Sequence, residues 1–160
     1  FSAERLSEAL EVSRTHGLPR YECLQPRYNL YDREDYEGAL EALCLKENIG
    51  CIPYYGLASG FLTGKYRSAA DFGKSQRGSR MGSYLNARGL RILSALDHIA
   101  AAHRTAQASV ALAWLMARPS IAAPIASATN PDQVKEFAAA LRLRLSAGDI
   151  AALDAAGAGA

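Results

Sequence analysis

The chain has 160 residues, with 18 Lys+Arg against 16 Asp+Glu for a formal net charge of +2, and it is 49% hydrophobic, 21% charged and 8% aromatic. That composition suits a globular domain with a buried core; it carries too little net charge for disorder and no Lys/Arg stripe for nucleic acid. No run of about eighteen apolar residues appears, so neither a membrane span nor membrane partnership is expected.

In chain order, Ser2 is placed to cap a helix whose Leu6, Ala9, Leu10 and Ser13 recur at helical spacing until Gly17 stops it. Gly17-Leu18-Pro19 makes a turn, and Tyr21 to Leu24 reads as a short strand that ends in Gln25-Pro26-Arg27-Tyr28-Asn29. A second helix is expected from about Asp35, with Tyr36, Ala39, Leu40, Leu43 and Cys44 on one face, closing at Asn48-Ile49-Gly50. Cys51 to Tyr55 is a strand candidate leading into Gly56-Leu57-Ala58-Ser59-Gly60.

Thr63 to Asn86 is rich in Gly, Ser, Lys and Arg with little periodicity, too long for a plain connector. Helical pattern resumes with Leu90, Leu93, Leu96, Ile99 and Ala100 up to His103, and again from Gln107 to Ala117 around Val110, Trp114 and Leu115. Pro119 ends that helix, and Ile121 to Ile125 is a third short strand. Asn130-Pro131-Asp132-Gln133 is a strong helix start, with Asn as cap, Pro in the first turn and Gln in the third position. Val134, Phe137 and Leu141 form the expected buried stripe, and Ser146-Ala147-Gly148-Asp149 starts a last helix through Leu153.

Strands separated by helices imply parallel pairing and an α/β layer architecture. Three short strands are few for a complete parallel sheet, so the chain reads as a piece of a larger barrel or sheet. No solenoid-type repeat is present. The N-terminus lacks a basic segment followed by an apolar one, so no signal peptide is expected in the sequence shown. Cys23, Cys44 and Cys51 form no C-x-x-C and each lies in an apolar stretch, which suits buried free thiols of a cytoplasmic protein. His16, His98 and His103 have no metal-ligand spacing.

In parallel α/β folds ligands meet the carboxyl ends of the strands. Those ends are Gln25 to Asn29, Tyr54 to Gly60 and Ala126 to Gln133. Gln25 has the donors and acceptor to read a primary carboxamide, and Tyr54 has a flat face for a heteroaromatic ring. Gly56 and Gly60 admit close backbone approach, Ser59 adds a hydroxyl, and the helix start at Pro131 offers free N–H groups to an anion. Lys65, Arg67, Arg77 and Arg80 put four cations in the long loop. Each has an ordinary structural reading by itself: a hydrogen-bonding Gln, a core Tyr, turn glycines, a solvated basic face. Together they meet the needs of a nicotinamide dinucleotide.

Three segments carry a family resemblance: Gln25-Pro26-Arg27-Tyr28-Asn29-Leu30, Tyr54-Tyr55-Gly56-Leu57-Ala58-Ser59-Gly60-Phe61-Leu62-Thr63-Gly64-Lys65-Tyr66 and Pro124-Ile125-Ala126-Ser127-Ala128-Thr129-Asn130-Pro131-Asp132-Gln133. In order and spacing they resemble the C-terminal half of an aldo-keto reductase, over essentially the whole chain. Phe1 is similar to the last residue of the family's G-x-S-N-F segment. The resemblance implies a (β/α)8 TIM-type barrel, of which this chain holds strands six to eight with their helices. It also implies NADPH-dependent reduction of a small-molecule aldehyde or ketone, with NADH as the alternative cofactor.

By position, the resemblance puts Gln25 on the nicotinamide carboxamide and Tyr54 on its ring. Tyr55, Leu57, Ser59 and Lys65, with Gly56 and Gly60, line the diphosphate, and Arg80 joins the phosphate clamp. Ser127, Thr129 and Gln133 meet the adenosine ribose and its 2′-phosphate, and Glu136 faces the adenine. The chain departs from the family at Tyr55-Gly56, where Ser-Pro is common. It also departs at Ser127-Ala128-Thr129, which lacks the usual cation, and at Phe137, where Asn is usual. The family's catalytic Asp, Tyr, Lys and His lie on the first four strands and have no counterpart here, nor has the Ser-Asn pair before Phe1. Tyr28, Tyr31, Tyr36 and Tyr66 read as packing or loop residues.

The natural protein is therefore expected to be about twice this length, with this piece inactive alone, or else two halves associate through open barrel edges. A non-catalytic nucleotide-binding scaffold on the same barrel is the competing reading. No G-x-G-x-x-G follows a strand, which argues against a Rossmann dehydrogenase, and no histidine sits where a hydrolase triad needs it.

Overall fold

The computed structural model describes residues 1–74 and 78–159. Arg77, one of the four loop cations, lies outside the described residues. Among the described residues, six α-helices, α1 (Ala3–His16), α2 (Ala39–Lys46), α3 (Ala87–His103), α4 (Gln107–Met116), α5 (Pro131–Arg142) and α6 (Ala147–Gly157), accompany two short strands, β1 (Cys23–Leu24) and β2 (Gly50–Cys51).

Helix ends follow local chemistry. Ser2 accepts from the Arg5 N–H to cap α1, and Gly17 closes it at φ +62°. Asn86 caps α3 through the Gly89 N–H, and Asn130 caps α5 through the Gln133 N–H with proline in the first turn. Ser146 and Asp149 form a reciprocal capping box on α6. The second helix begins later than expected, at Ala39, because Gly38 at φ +96° sets its start.

The strands pair in parallel, Cys23 with Gly50 and Leu24 with Cys51. The same register continues to a single bridge between Arg27 and Tyr54, and Cys51 bridges Ile121 in the third expected strand. These ladders are shorter than the sequence suggests. Pro26, Pro53 and Pro124 fall within or beside them and have no N–H to donate. Alternation nevertheless survives. Cys51 and Tyr28 point into the core with Leu6, Leu10, Cys44, Trp114 and Leu115, whereas Cys23, Gln25, Arg27 and Tyr54 are on the exposed face. Helices cover one face of the sheet and leave the other bare.

Three sequence expectations are corrected. Cys23 is exposed, since it falls on the bare face, while Cys44 and Cys51 are buried. Leu90 points outward and Gly89, Ile92 and Leu93 point inward on α3. Val134 and Leu141 are 54% and 65% exposed, and Ala140 is the buried residue of α5. The cause is that α5 meets α4 closely, with the Ser109 hydroxyl donating to the Glu136 carbonyl at 2.8 Å. Small residues face the contact and the large apolar ones are displaced from it. Tyr28, Tyr36 and Tyr66 are fully buried, as a packing role requires.

Candidate functional site

A cavity of about 720 Å3 opens at the carboxyl ends of the strands, within the usual range for small-molecule and cofactor sites. Its wall is built from three stretches far apart in sequence. Tyr54 to Lys65 form one side, Arg80 from the long loop closes the rim, and Ile125 to Phe137 form the other side.

Tyr54 is fixed by its backbone: its N–H donates to the Pro26 carbonyl at 3.0 Å and its own carbonyl accepts from Tyr28 at 3.4 Å. The side chain stays 38% exposed, with the Tyr55 ring edge-on at 5.2 Å. An aromatic of this size held open beside a cavity offers a stacking surface.

The chain then bends through a run of left-handed residues. Tyr55, Ala58 and Ser59 have φ of 62°, 48° and 56°, and Gly60 has 95°. For residues with a Cβ this conformation costs about 1–2 kcal/mol each, and such strain clusters at ligand sites. Among the described residues the backbone N–H groups of Gly56, Leu57 and Ser59, three residues of the cavity wall, donate to nothing. A concave set of free N–H groups is an anion cradle. Phe61 and Leu62, both fully buried, anchor the turn below.

The two glycines have different reasons. A Cβ on Gly56 would lie 3.1 Å from Leu115 Cδ1, so α4 packs tightly on it and a side chain there would require that leucine to shift. Gly60 needs its freedom for φ +95°, and a Cβ on it would sit 3.4 Å from Lys65 Nζ. Lys65 therefore lies over the bend, with its ammonium 5.1 Å from the Tyr66 ring. Neither Lys65 nor Arg80 has a carboxylate partner among the described residues, so both leave positive charge on the wall. Arg67 is different: it pairs with Asp97 at 2.8 Å and donates to the Gly64 carbonyl, which ties the loop rather than the cavity.

On the opposite side the Thr129 N–H and hydroxyl both donate to Gln133 Oε1, at 2.7 and 3.3 Å. The Gln133 side chain thus closes the turn before α5 instead of capping its own helix. Ser127, Thr129, Gln133 and Glu136 all reach the cavity wall. Gln25 does not line it. The strand register sets Gln25 opposite Ile52, on the bare face that also carries Arg27 and Tyr54.

Sequence reasoning missed Thr63, Ala108 and Ile125 on the wall, and Phe137, read as part of a buried stripe, lines it too. Thr63 sits inside the quoted glycine-rich segment and its hydroxyl donates to the Gly60 carbonyl at 2.8 Å. Ala108 carries no signal at all until α4 is docked. A polar network beneath the site was also missed: Asn29, Asp32, Arg27 and Tyr84 join β1 to the end of the long loop. The Tyr84 hydroxyl donates to Asp32 Oδ2 at 2.9 Å. Burial, then the Asp32 charge, pushes that phenol up to about 12, so it stays a donor through the neutral range. Among the described residues no group of three or more His, Cys, Asp and Glu could hold a metal, and no helix is long and apolar enough to cross a membrane.

Comparison with known proteins gives a consistent result. The sequence profile of the Aldo/keto reductase family matches residues 1–158. L-glyceraldehyde 3-phosphate reductase of Escherichia coli (strain K12) is 30% identical over 162 residues, covering 96% of this chain and 46% of the relative. A probable voltage-gated potassium channel subunit beta of Oryza sativa subsp. japonica is 31% identical over 150 residues, covering 88% and 44%. The aldo-keto reductase yakc [NADP(+)] of Schizosaccharomyces pombe is 31% identical over 115 residues, covering 68% and 33%. The chain thus spans less than half the length of these curated relatives.

Proposed function

The chain belongs to the aldo/keto reductase family, and on that premise we propose that it supplies the cofactor-binding half of an NADPH-dependent carbonyl reductase, strands six to eight of a (β/α)8 barrel. One observation carries the reading: the strained Tyr55–Gly60 bend, two cations with no carboxylate partner among the described residues and the Ser127–Glu136 side converge on one cavity. The residues present suit a dinucleotide phosphate. Tyr54 holds the nicotinamide ring and Gln25, on the same face of the sheet, its carboxamide. The bend, with Tyr55, Gly56, Leu57, Ser59 and Gly60, cradles the diphosphate while Lys65 and Arg80 neutralise it. Ser127, Thr129 and Gln133 take the ribose and its phosphate, and Glu136 the adenine.

A reduced nicotinamide, when bound, supplies hydride to a carbonyl carbon, and the alkoxide so formed takes a proton from a general acid to give the alcohol. This chain's residues orient that group and exclude water from one side of it. The proton donor belongs to the other half of the barrel, so the piece alone is inactive. The bare sheet face and free strand edges support closure by that half, or by a second copy of this chain. Three unbridged cysteines support a cytoplasmic setting. Likeness to a channel subunit supports the second reading, a nucleotide-binding scaffold without turnover.

Titration of NADPH and NADH against the protein that carries this chain tests the site. Binding should alter nicotinamide fluorescence, Tyr54→Ala should weaken binding by about tenfold, and Lys65→Ala with Arg80→Ala should weaken binding of NADPH and NADH alike, since both carry the diphosphate. Absence of binding by either nucleotide overturns the reading. Binding without reduction of any aldehyde favours the scaffold.

A further inference from the structure

We infer that Arg27 is a specificity-determining residue that reads an anionic group, a carboxylate, on the carbonyl substrate. The inference rests on the nicotinamide reading of the cavity and goes beyond it. Arg27 pairs across the sheet with Tyr54, and the register sets it on the bare face with Gln25, one side-chain repeat further toward the carboxyl end. Its guanidinium carbon stands 5.7 Å from the centre of the Tyr55 ring, which lines the cavity. A substrate meeting the nicotinamide on Tyr54 would therefore lie beside Arg27.

The guanidinium is held but not used up. Nη2 donates to Asp32 Oδ1 at 2.7 Å and to the Tyr84 hydroxyl at 3.0 Å. Asp32 is itself fixed, its other oxygen accepting from Tyr84 at 2.9 Å and from the Asn29 amide at 2.8 Å. Nε and Nη1 donate to no described residue, and the side chain keeps 43% of its exposure. An arginine oriented on one nitrogen with its other N–H groups open is preorganised for a carboxylate, because its fork does not have to be ordered on binding. Asp32 limits the net charge, but its lone pairs already point at Tyr84, Asn29 and Arg27. A purely structural arginine tying Tyr84 to β1 is the competing account.

The experiment compares 4-carboxybenzaldehyde with benzaldehyde as substrates of the protein carrying this chain, unsubstituted and as Arg27→Gln and Arg27→Lys. Binding of benzoate to the NADPH-loaded protein is measured alongside by calorimetry. Arg27→Gln should cut kcat/KM for the carboxylated aldehyde by about ten- to a hundredfold, mainly through KM, and leave benzaldehyde within about twofold. Arg27→Lys should recover part of the loss, and benzoate binding should weaken in parallel. An equal fall for both aldehydes, or a fall that follows a lowered Tm, assigns Arg27 to structure and overturns the inference. Unchanged discrimination in Arg27→Gln, with NADPH still bound, removes this inference alone. Failure of the unsubstituted protein to bind NADPH removes the nicotinamide reading and this inference with it.

Discussion

The side-chain amide of Asn29 donates to the backbone carbonyl of Tyr55 at 2.9 Å, joining the end of β1 to the first left-handed residue of the cavity bend. Asn29 is fully buried, and all its hydrogen-bonding capacity is taken. Its second amide hydrogen goes to Asp32 at 2.8 Å, and its oxygen accepts from the Tyr31 and Asp32 N–H groups at 2.8 and 2.9 Å. One side chain thus holds the strained bend and the Arg27–Asp32–Tyr84 network in a common frame.

Replacing Asn29 by Ala leaves several buried polar groups without partners. Asn29→Ala is expected to cost about 3 kcal/mol and to lower Tm by about 6–12 °C, with weaker NADPH binding because Tyr55 lines the cavity. Thermal unfolding followed by circular dichroism measures it. A Tm within a degree of the parent would mean water replaces the amide at no cost.

The bend sets an order of tolerance between neighbours. Gly60→Ala has room for its methyl, 3.4 Å from Lys65, so its loss of about 1 kcal/mol comes from φ +95° alone. Ser59→Gly relieves a left-handed serine and offsets the greater freedom of glycine when unfolded, leaving stability within about 0.5 kcal/mol. Urea midpoints for the two variants decide the matter; the reverse order would contradict the backbone conformation described.

Thiol labelling separates the three cysteines. Cys23 is exposed on the bare face. Burial first, and the neighbouring Cys51 second, pushes the Cys44 thiol up to about 12, which leaves about one thiolate in ten thousand at pH 8. Cys51 is buried and accepts a hydrogen bond from the Tyr36 hydroxyl at 2.9 Å. Iodoacetamide should therefore modify Cys23 first by mass spectrometry, and all three only in denaturant. Rapid native labelling of Cys44 would refute the packing of α2 on the sheet.

Acid should loosen α6 through Asp149. The Ser146 N–H, and then the His103 ring at 3.0 Å, hold its carboxyl below the ordinary value. Because the folded pKa is the lower one, this stabilisation is complete above about pH 4 and is lost as pH falls through the folded value. Asp149→Ala should cost about 1 kcal/mol at pH 7, and the gap from the parent should shrink as pH falls below about 4. A constant gap over that range would show that the carboxylate is not the stabilising form.

Helix starts at Ser2, Asn130 and Ser146 were legible because a cap is a short-range bargain between a side chain and an N–H three residues on. The candidate site was legible as motifs for a related reason: left-handed turns and strand ends call for Gly, Ser and Asn near one another in sequence. The orientation of α5 was not. Val134 and Leu141 look like its inner stripe, yet Ala140 is buried, since which face turns inward depends on how closely α4 approaches. Nor could the sequence separate Lys65, which lies over Gly60 with no carboxylate partner among the described residues, from Arg67, spent on Asp97 thirty positions away.

By itself, then, the sequence determined the alternation of helices and parallel strands, the helix caps and the family, all of which rest on local chemistry or on the spacing of residues along the chain. Only the tertiary structure decided that Ala58 and Ser59 share the left-handed bend with Gly60, and that Asn29 and Tyr84 brace it. It also decided that Gln25 lies off the cavity wall while Tyr54 lies on it. Strain in a residue with a Cβ persists only when surrounding contacts hold it, and those contacts come from segments that meet only once the core has closed.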